Sequence, residues 1–395
     1  MNRRTALGVG LEKVRADTLR FFEEIDERDF AWQEHPDFSP LGWHLGHIGV
    51  TEAYWILQRC KGEPSLSPFY DFFFTPTDNP KPNRAHLPPR REILEYLHTV
   101  RTQVMAFLAT VEFRAADPLL AEANIFNMVL QHEEQHLEIM TLIRQLLVAD
   151  RCGEERIATA SRPTENTCQG DASPAEEMVH VPAGPFLMGS NELGLTLDNE
   201  RPQHEVTVGG FYVQRFPVTN EAFLQFIDQG GYRTRAWWSP EGWTWREQQH
   251  IVQPLYWRKH SNGGWSEIRG DEVAPLVGRQ PVSCISWYEA DAYARSLGLR
   301  LVTEVEWEKA AKTGRLARVG EVWEWTSTWF APYGGFAPHP YEGYSVPYFD
   351  QQHRVLRGAS WATQPHVRRP TFRNWYQPWV REIFAGVRCA ADEKE

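Results

Sequence analysis

The stretch 131-QHEEQHLEIM-140 holds two histidines four residues apart, and its reading decides the rest of the chain. Residues 132–136 spell H-E-x-x-H. On a helix, His132 and His136 project from one face about one turn apart. They fall on an apolar stripe with Ile125, Val129, Ile139, Ile143 and Leu146, so the spacing predicts a helix near 118–148 with both imidazoles turned into a core. A lone histidine on such a stripe is ordinarily a satisfied core residue. Two at this spacing point to a metal.

Working outward, three more helices are predicted. The first, near 8–28, carries Leu11, Val14, Thr18, Phe21, Phe22 and Ile25 on one face. The second runs from Pro40 to about Arg59, and the third spans 90–110 with Ile93, Leu97, Val100, Val104 and Phe107. Four amphipathic helices make a bundle. The long 60–90 connection is rich in proline and aromatics, and a connection that long in a compact bundle is usually functional. The second helix reads 43-WHLGHIGVTEAYW-55. His47 shares its stripe with Trp43, Val50, Tyr54 and Leu57, while His44, one turn back, competes for the same role. Three inward imidazoles from two helices can hold one metal by a single face.

The H-E-x-x-H metalloprotease reading fails on its neighbours. It needs Glu133 as general base and a third ligand downstream. No second histidine follows His136 at that spacing, and Glu133 lies one residue off the histidine face, toward solvent or a neighbouring helix. Nitrogen-only ligation suits Zn, Fe, Cu or Ni and does not choose among them.

The whole chain sets limits. Its 395 residues are enough for two or three domains. A formal charge of −11 with no basic stripe argues against nucleic acid as a partner. No apolar run reaches transmembrane length, so no membrane partner is expected. The cysteines, Cys60, Cys152, Cys168, Cys284 and Cys389, are dispersed and unpaired in sequence, which fits a reduced cytoplasmic setting. Most of the 17 tryptophans follow residue 235, suggesting a rigid, irregular domain with aromatic pockets. The expected layout is a helical bundle over 1–150, a polar linker over 151–177 and an α+β domain over 178–391. In the last, short apolar runs alternate with Gly/Pro turns, and helices are expected at 220–229 and 286–298.

With G-H-I-G at 46–49 and Q-H-E-x-Q-H at 131–136, the first half resembles the DinB-like four-helix metal bundle. The second half resembles the sulfatase-modifying-factor domain, a C-type-lectin-like α+β fold. The shared marks are 182-PAGPFLMGS-190, 198-DNERPQHEV-206, 217-PVTNEAFLQFI-227, 281-PVSCISWYEA-290, 303-TEVEWEKAA-311, 322-VWEWTS-327, 356-LRGASWAT-363 and 384-FAGVRCA-390. The two in this order are similar to the ergothioneine sulfoxide synthases over nearly the whole chain. That resemblance implies Fe(II) on His47, His132 and His136. It implies hercynine, O2 and a cysteine-type thiol as reactants, and a C–S bond and a sulfoxide as products. It also implies roles for other residues. In 341-YEGY-344, Tyr341 would be the catalytic proton donor and Tyr344 would line the betaine pocket. Gln135 would contact the substrate amine, and in 372-FRNWY-376 Asn374 and Trp375 match a pocket motif whose aromatic faces suit a quaternary ammonium.

The chain also departs from the family pattern. In the branch that uses γ-glutamylcysteine an acidic residue follows Asn-Trp, where this chain has Tyr376. The loop 81-KPNRAHLPPRR-91 offers only Arg84, or Arg90 with Arg91, as a fork for a carboxylate, which favours free cysteine as donor. A related activity on the same scaffold, selenoneine synthase, would join a selenosugar to hercynine. A formylglycine-generating oxidase would need a cysteine pair after 357-RGAS-360, and 357–375 has none. A non-catalytic thiol- or metal-binding module with a lectin-like ligand domain is the other alternative, and the His47/His132/His136 set argues against it.

Overall fold

The computed structural model describes residues 2–151 and 177–393, in two compact units. All but the two ends of the expected linker lies outside the described residues. One unit holds the chain up to Leu147 together with Glu192–Leu195 and Gln364–Val367; the other holds the rest.

The first unit is helical: α1 (Arg3–Glu23), α2 (Glu27–Ala31), α3 (Leu41–Glu52), α4 (Pro68–Phe73), α5 (Arg90–Thr110) and α6 (Asn124–Arg151). The first predicted helix is broken in two, because Asp26 accepts from the Asp29 N–H and caps a new helix there. The last begins at Asn124 rather than 118, since Glu122 and Ala123 have φ of 54° and 60°. Beyond Glu52 the chain continues as π-helix over Ala53–Cys60. The wider turn changes which side chains face inward. Trp55, Ile56 and Leu57 are buried, but Tyr54, expected on the buried stripe, is 41% exposed.

Four buried charged residues, one from each long helix, lock this bundle. Arg15 of α1 bonds Glu133 of α6 and Glu52 of α3, both at 2.8 Å. Arg101 of α5 bonds the same two carboxylates at 2.7 and 2.8 Å. Burial pushes the Glu133 carboxyl up, yet Arg15 and Arg101 outweigh it and hold it below the usual carboxylate range. Glu133 therefore faces the neighbouring helices, and its oxygens are occupied. It is not placed to serve as a metalloprotease base. Two chain-distant segments complete the unit. Leu195 O accepts from the Gln131 side chain at 3.2 Å. His366 donates its backbone N–H and Nδ1–H to the buried Glu134 carboxylate at 3.1 and 2.7 Å.

The second unit mixes helices with four sheets. Strands β1 (Met178–Val181), β4 (Phe211–Gln214), β8 (Arg300–Leu301) and β13 (Cys389–Asp392) form one sheet in the order β1-β4-β13-β8. Strands β9 (Trp323–Trp329), β10 (Arg354–Arg357), β11 (Asn374–Tyr376) and β12 (Ala385–Val387) form another, β11-β10-β9-β12, with β12 parallel to β9. β2 (Gly184–Met188) pairs with β3 (His204–Val208), and β5 (Trp257–Lys259), β6 (Trp265–Arg269) and β7 (Glu272–Pro275) make a meander. Helices α7 (Asn220–Asp228) and α9 (Trp287–Ser296) stand where the sequence predicts them; α8 (Pro240–Gln248) and α10 (Glu304–Lys312) were not anticipated as helices. Val181, Phe211, Val213, Val302, Trp307 and Ala390 form a core cluster. The tryptophans are used structurally here. Trp307 Nε1 donates to Glu324, Trp325 Nε1 to Ile285 O and Trp287 Nε1 to Thr326 O, so these buried indoles satisfy their polar edge. Among the described residues, no helix is long and apolar enough to cross a membrane.

Candidate metal centre

α3 and α6 bring His47, His132 and His136 together. His47 Nε2 is 3.2 Å from His132 Nε2, which is 3.1 Å from His136 Nε2. Two nitrogens held at right angles about 2.1 Å from one metal would stand about 3.0 Å apart. Burial pushes the His47 imidazole down to about 4 and His132 and His136 well below their ordinary value, so all three are neutral at pH 7. A neutral imidazole has one donor and one lone pair. His47 donates Nδ1–H to Phe74 O at 2.7 Å, so its Nε2 presents a lone pair to the cluster. Converging nitrogen lone pairs in a partly buried site fit a bound cation.

His44, the competing candidate, is not a member of the triad. Its Nδ1 lies 2.9 Å from His136 Nδ1, where it can accept that proton and leave His136 Nε2 for the cluster. Along α6, His132, Gln135 and His136 are only half-buried, while Gln131, Glu133, Glu134 and Leu137 are buried. The ligand face is thus the helix face that solvent can reach, and Gln135 shares it. Gln135 Nε2 donates to Gln131 O at 3.1 Å.

The glycines of 41-LGWHLGH-47 let the following loop settle on α3. A Cβ on Gly46 would stand 2.3 Å from the Phe74 ring, and one on Gly42 would stand 2.5 Å from Phe30 and 2.6 Å from Leu87. Gly46→Ala should lower stability by about 1–3 kcal/mol, as overpacking does, and thermal denaturation will measure it. A Tm equal to wild type would mean that Phe74 moves aside at no cost.

Arg84 and Arg90 are not the free carboxylate forks expected of them. Arg84 is buried; it donates to Asn79 O, Ser39 Oγ and Pro76 O at 2.8, 2.8 and 2.9 Å. Arg90 donates to Ile25 O and Phe22 O. In each case the guanidinium is taken up mainly by backbone carbonyls of the same unit, which one sequence cannot reveal.

In the second unit, the loop holding Tyr341 and Tyr344 meets β11. Tyr341 is 41% exposed, and its phenol is pushed up to about 12 by local burial, with Tyr348 and Asp198 adding to it. Tyr344 sets its ring edge-on to Trp375 at 5.7 Å, and Trp375 stacks on Phe330 at 4.3 Å. Asn374 Oδ1 accepts from the Trp375 N–H at 2.9 Å, and Tyr376 pairs with Arg354 across the sheet. The loop is tied down by a residue the motif reading left without a role. The Asp198 carboxylate accepts from Ser345 Oγ at 2.6 Å and the His339 N–H at 3.4 Å.

Comparison with known proteins now decides the family. The DinB superfamily matches residues 10–140, and the sulfatase-modifying factor enzyme 1-like domain matches 164–319 and 317–393. The hercynine oxygenase of Mycobacterium tuberculosis is 36% identical, with 98% of each chain covered. That of Mycolicibacterium smegmatis is 35% identical over 98% of this chain and 99% of its own. The chain belongs to the hercynine oxygenase family. The mouse inactive C-alpha-formylglycine-generating enzyme 2 is 29% identical over only 54% of this chain. Membership of the hercynine oxygenases makes this chain an oxidoreductase, built from a DinB-type helical unit and a sulfatase-modifying-factor-type α+β unit.

Proposed function

We propose that this protein joins hercynine to a cysteine-type thiol in ergothioneine biosynthesis, using Fe(II) and O2. The convergence of His47, His132 and His136 in a chain of this family carries the reading. The reaction balances as imidazole C–H plus thiol S–H plus O2, giving a C–S bond, a sulfoxide and one water. Iron would be held by the three Nε2 atoms and would supply binding and reduction of O2 and acidification of the thiol.

The chain's own residues do the rest. His44 and Phe74 O fix the ring orientations of His136 and His47. Gln135, on the open helix face, orients the amine end of hercynine. Trp375, Tyr376 and Asn374 are proposed for the trimethylammonium side, where aromatic faces attract a quaternary cation. Tyr344 lines that pocket. Tyr341 is the proposed proton source; a phenol pushed up to about 12 keeps its proton through the neutral range. Arg84 and Arg90 have no proposed contact to the donor, and the donor proposed is free cysteine.

The test is anaerobic loading with Fe(II), then O2 with hercynine plus cysteine, γ-glutamylcysteine or a selenosugar in parallel, read by mass spectrometry. A hercynine–cysteine sulfoxide is expected. A selenium adduct alone would make the protein a selenoneine synthase, and unconsumed hercynine in every tube would overturn the reading. Tyr341→Phe should keep the metal and slow sulfoxide formation at least about 100-fold, the lower range for a missing proton donor. The thiol should be diverted to dioxygenation. An unchanged sulfoxide yield would remove Tyr341 from the chemistry.

A further inference from the structure

The Arg84 side chain and the 73–84 loop are linked to the histidine cluster through Trp43 and Phe74 O. The chain of contacts begins at His47, whose Nδ1–H is held by Phe74 O at 2.7 Å. The neighbouring Phe73 O is held from two sides, by Trp43 Nε1 at 3.1 Å and Asn79 Nδ2 at 2.8 Å. Arg84 then clamps the loop that these carbonyls belong to, through Asn79 O and Pro76 O, and ties it to Ser39. Its guanidinium lies over the Trp43 ring at 4.0 Å, and that ring is stacked on His47 at 4.8 Å and 11°. Arg84, Trp43 and His47 are one stack, and the loop carbonyls are fastened along its edge. Gly46 clears the space in which Phe74 of the loop sits.

We infer that Arg84 is a positioning residue for the metal ligand His47, acting through the 73–84 loop and the Trp43 ring, and is not a ligand for a substrate carboxylate. The long connection between α3 and α5 is then the outer shell of the centre. Its work is to hold His47 as the Nδ1–H tautomer with Nε2 free, the office that carbonyls and carboxylates perform for ligating imidazoles. The guanidinium suits the place because it is flat enough to stack and holds its donors in a fixed plane toward three acceptors at once; the lysine ammonium has three donors but no plane to stack. The inference rests on the metal-centre reading, but not on the identity of the organic substrates.

The test is anaerobic Co(II) titration of the full-length apoprotein, followed by its visible absorption, for wild type, Arg84→Ala and Arg84→Lys. KM for the thiol and kcat are then measured on the Fe(II)-loaded forms. Both variants should bind Co(II) about 10–100-fold more weakly, the range found for outer-shell partners. The Co(II) spectrum should change, and with metal saturating, the thiol KM should stay within about twofold of wild type. Wild-type Co(II) affinity with a thiol KM raised tenfold or more would overturn the inference and return Arg84 to the substrate. Should Arg84→Ala fail to fold, Asn79→Ala and Trp43→Phe each remove one bond to Phe73 O; unchanged Co(II) affinity in both would overturn it equally. A wild type that binds Co(II) through an Arg84-dependent site yet leaves hercynine untouched would sink the proposed reaction and keep this inference.

Discussion

His132→Ala and His136→Ala should each abolish metal binding and hercynine consumption while leaving the protein folded. The expectation follows from what these two side chains do and do not touch. Each contributes one of three converging nitrogens, and its nearest polar contacts are other imidazoles. Removing one leaves two nitrogens. The affinity loss should exceed the roughly 10–100-fold that outer-shell changes cause, because a ligand itself is gone. Stability should change little, since truncation leaves no carboxylate or amide unpaired. His44→Ala is the informative contrast. It removes a partner of His136 but no ligand, and should stay within that outer-shell range. Co(II) titration and circular dichroism on the same samples read both effects. Wild-type turnover by either ligand variant would sink the metal-centre assignment.

Glu133→Ala should behave in the opposite way, with the fold failing first. Glu133 accepts from Arg15 and Arg101, and both guanidiniums would be left buried with Glu52 as their shared carboxylate. Breaking a buried pair by removing one partner costs about 3–5 kcal/mol. For a unit of this size that is a fall in Tm of roughly 10 °C or more. Glu133→Gln keeps the shape but gives up the charge, and should fall between. The experiment also separates the two readings of H-E-x-x-H. A protease base can be replaced with little loss of stability, since its work is on a metal-bound water. A helix lock cannot. A Glu133→Ala protein melting with wild type would dissolve the lock and reopen the hydrolytic reading.

What could be read from the sequence divides along physical lines. Helical periodicity exposed α1, α3, α5 and α6, because those helices bury one coherent face. It places His47, His132 and His136 together on apolar stripes, but only His47 is buried; His132 and His136 are half-buried, on the face of α6 that solvent reaches. Ends were misplaced where a local bond overrode the period, as at Asp26, or where backbone strain did, as at Glu122 and Ala123. Tyr54 was misassigned because a π-helical turn is not written in a 3.6-residue pattern. Glu133 and Glu134 look like surface residues by composition, yet both are buried, each matched by a partner far away in the chain. The same blindness hid the fate of Arg84 and Arg90. A guanidinium consumed by carbonyls and one offered to a ligand have the same letter. Asp198 stood inside a quoted motif, but its use in holding Ser345 and the tyrosine loop depends on a partner 147 residues on.

The helical unit is not a contiguous piece of gene. Four residues from 192–195 and four from 364–367 belong to it, and they land on α6, the helix that carries two of the three nitrogens. A truncation at residue 151 would strip the Glu134 carboxylate of both N–H donors from His366 and uncover the face of α6 on which the two segments sit. Such a fragment should misfold or aggregate even though it contains all three ligand histidines. Chimeras made by exchanging halves at the linker inherit the same fault. Any transplant of this centre to another scaffold must carry the two distant tetrapeptides with it.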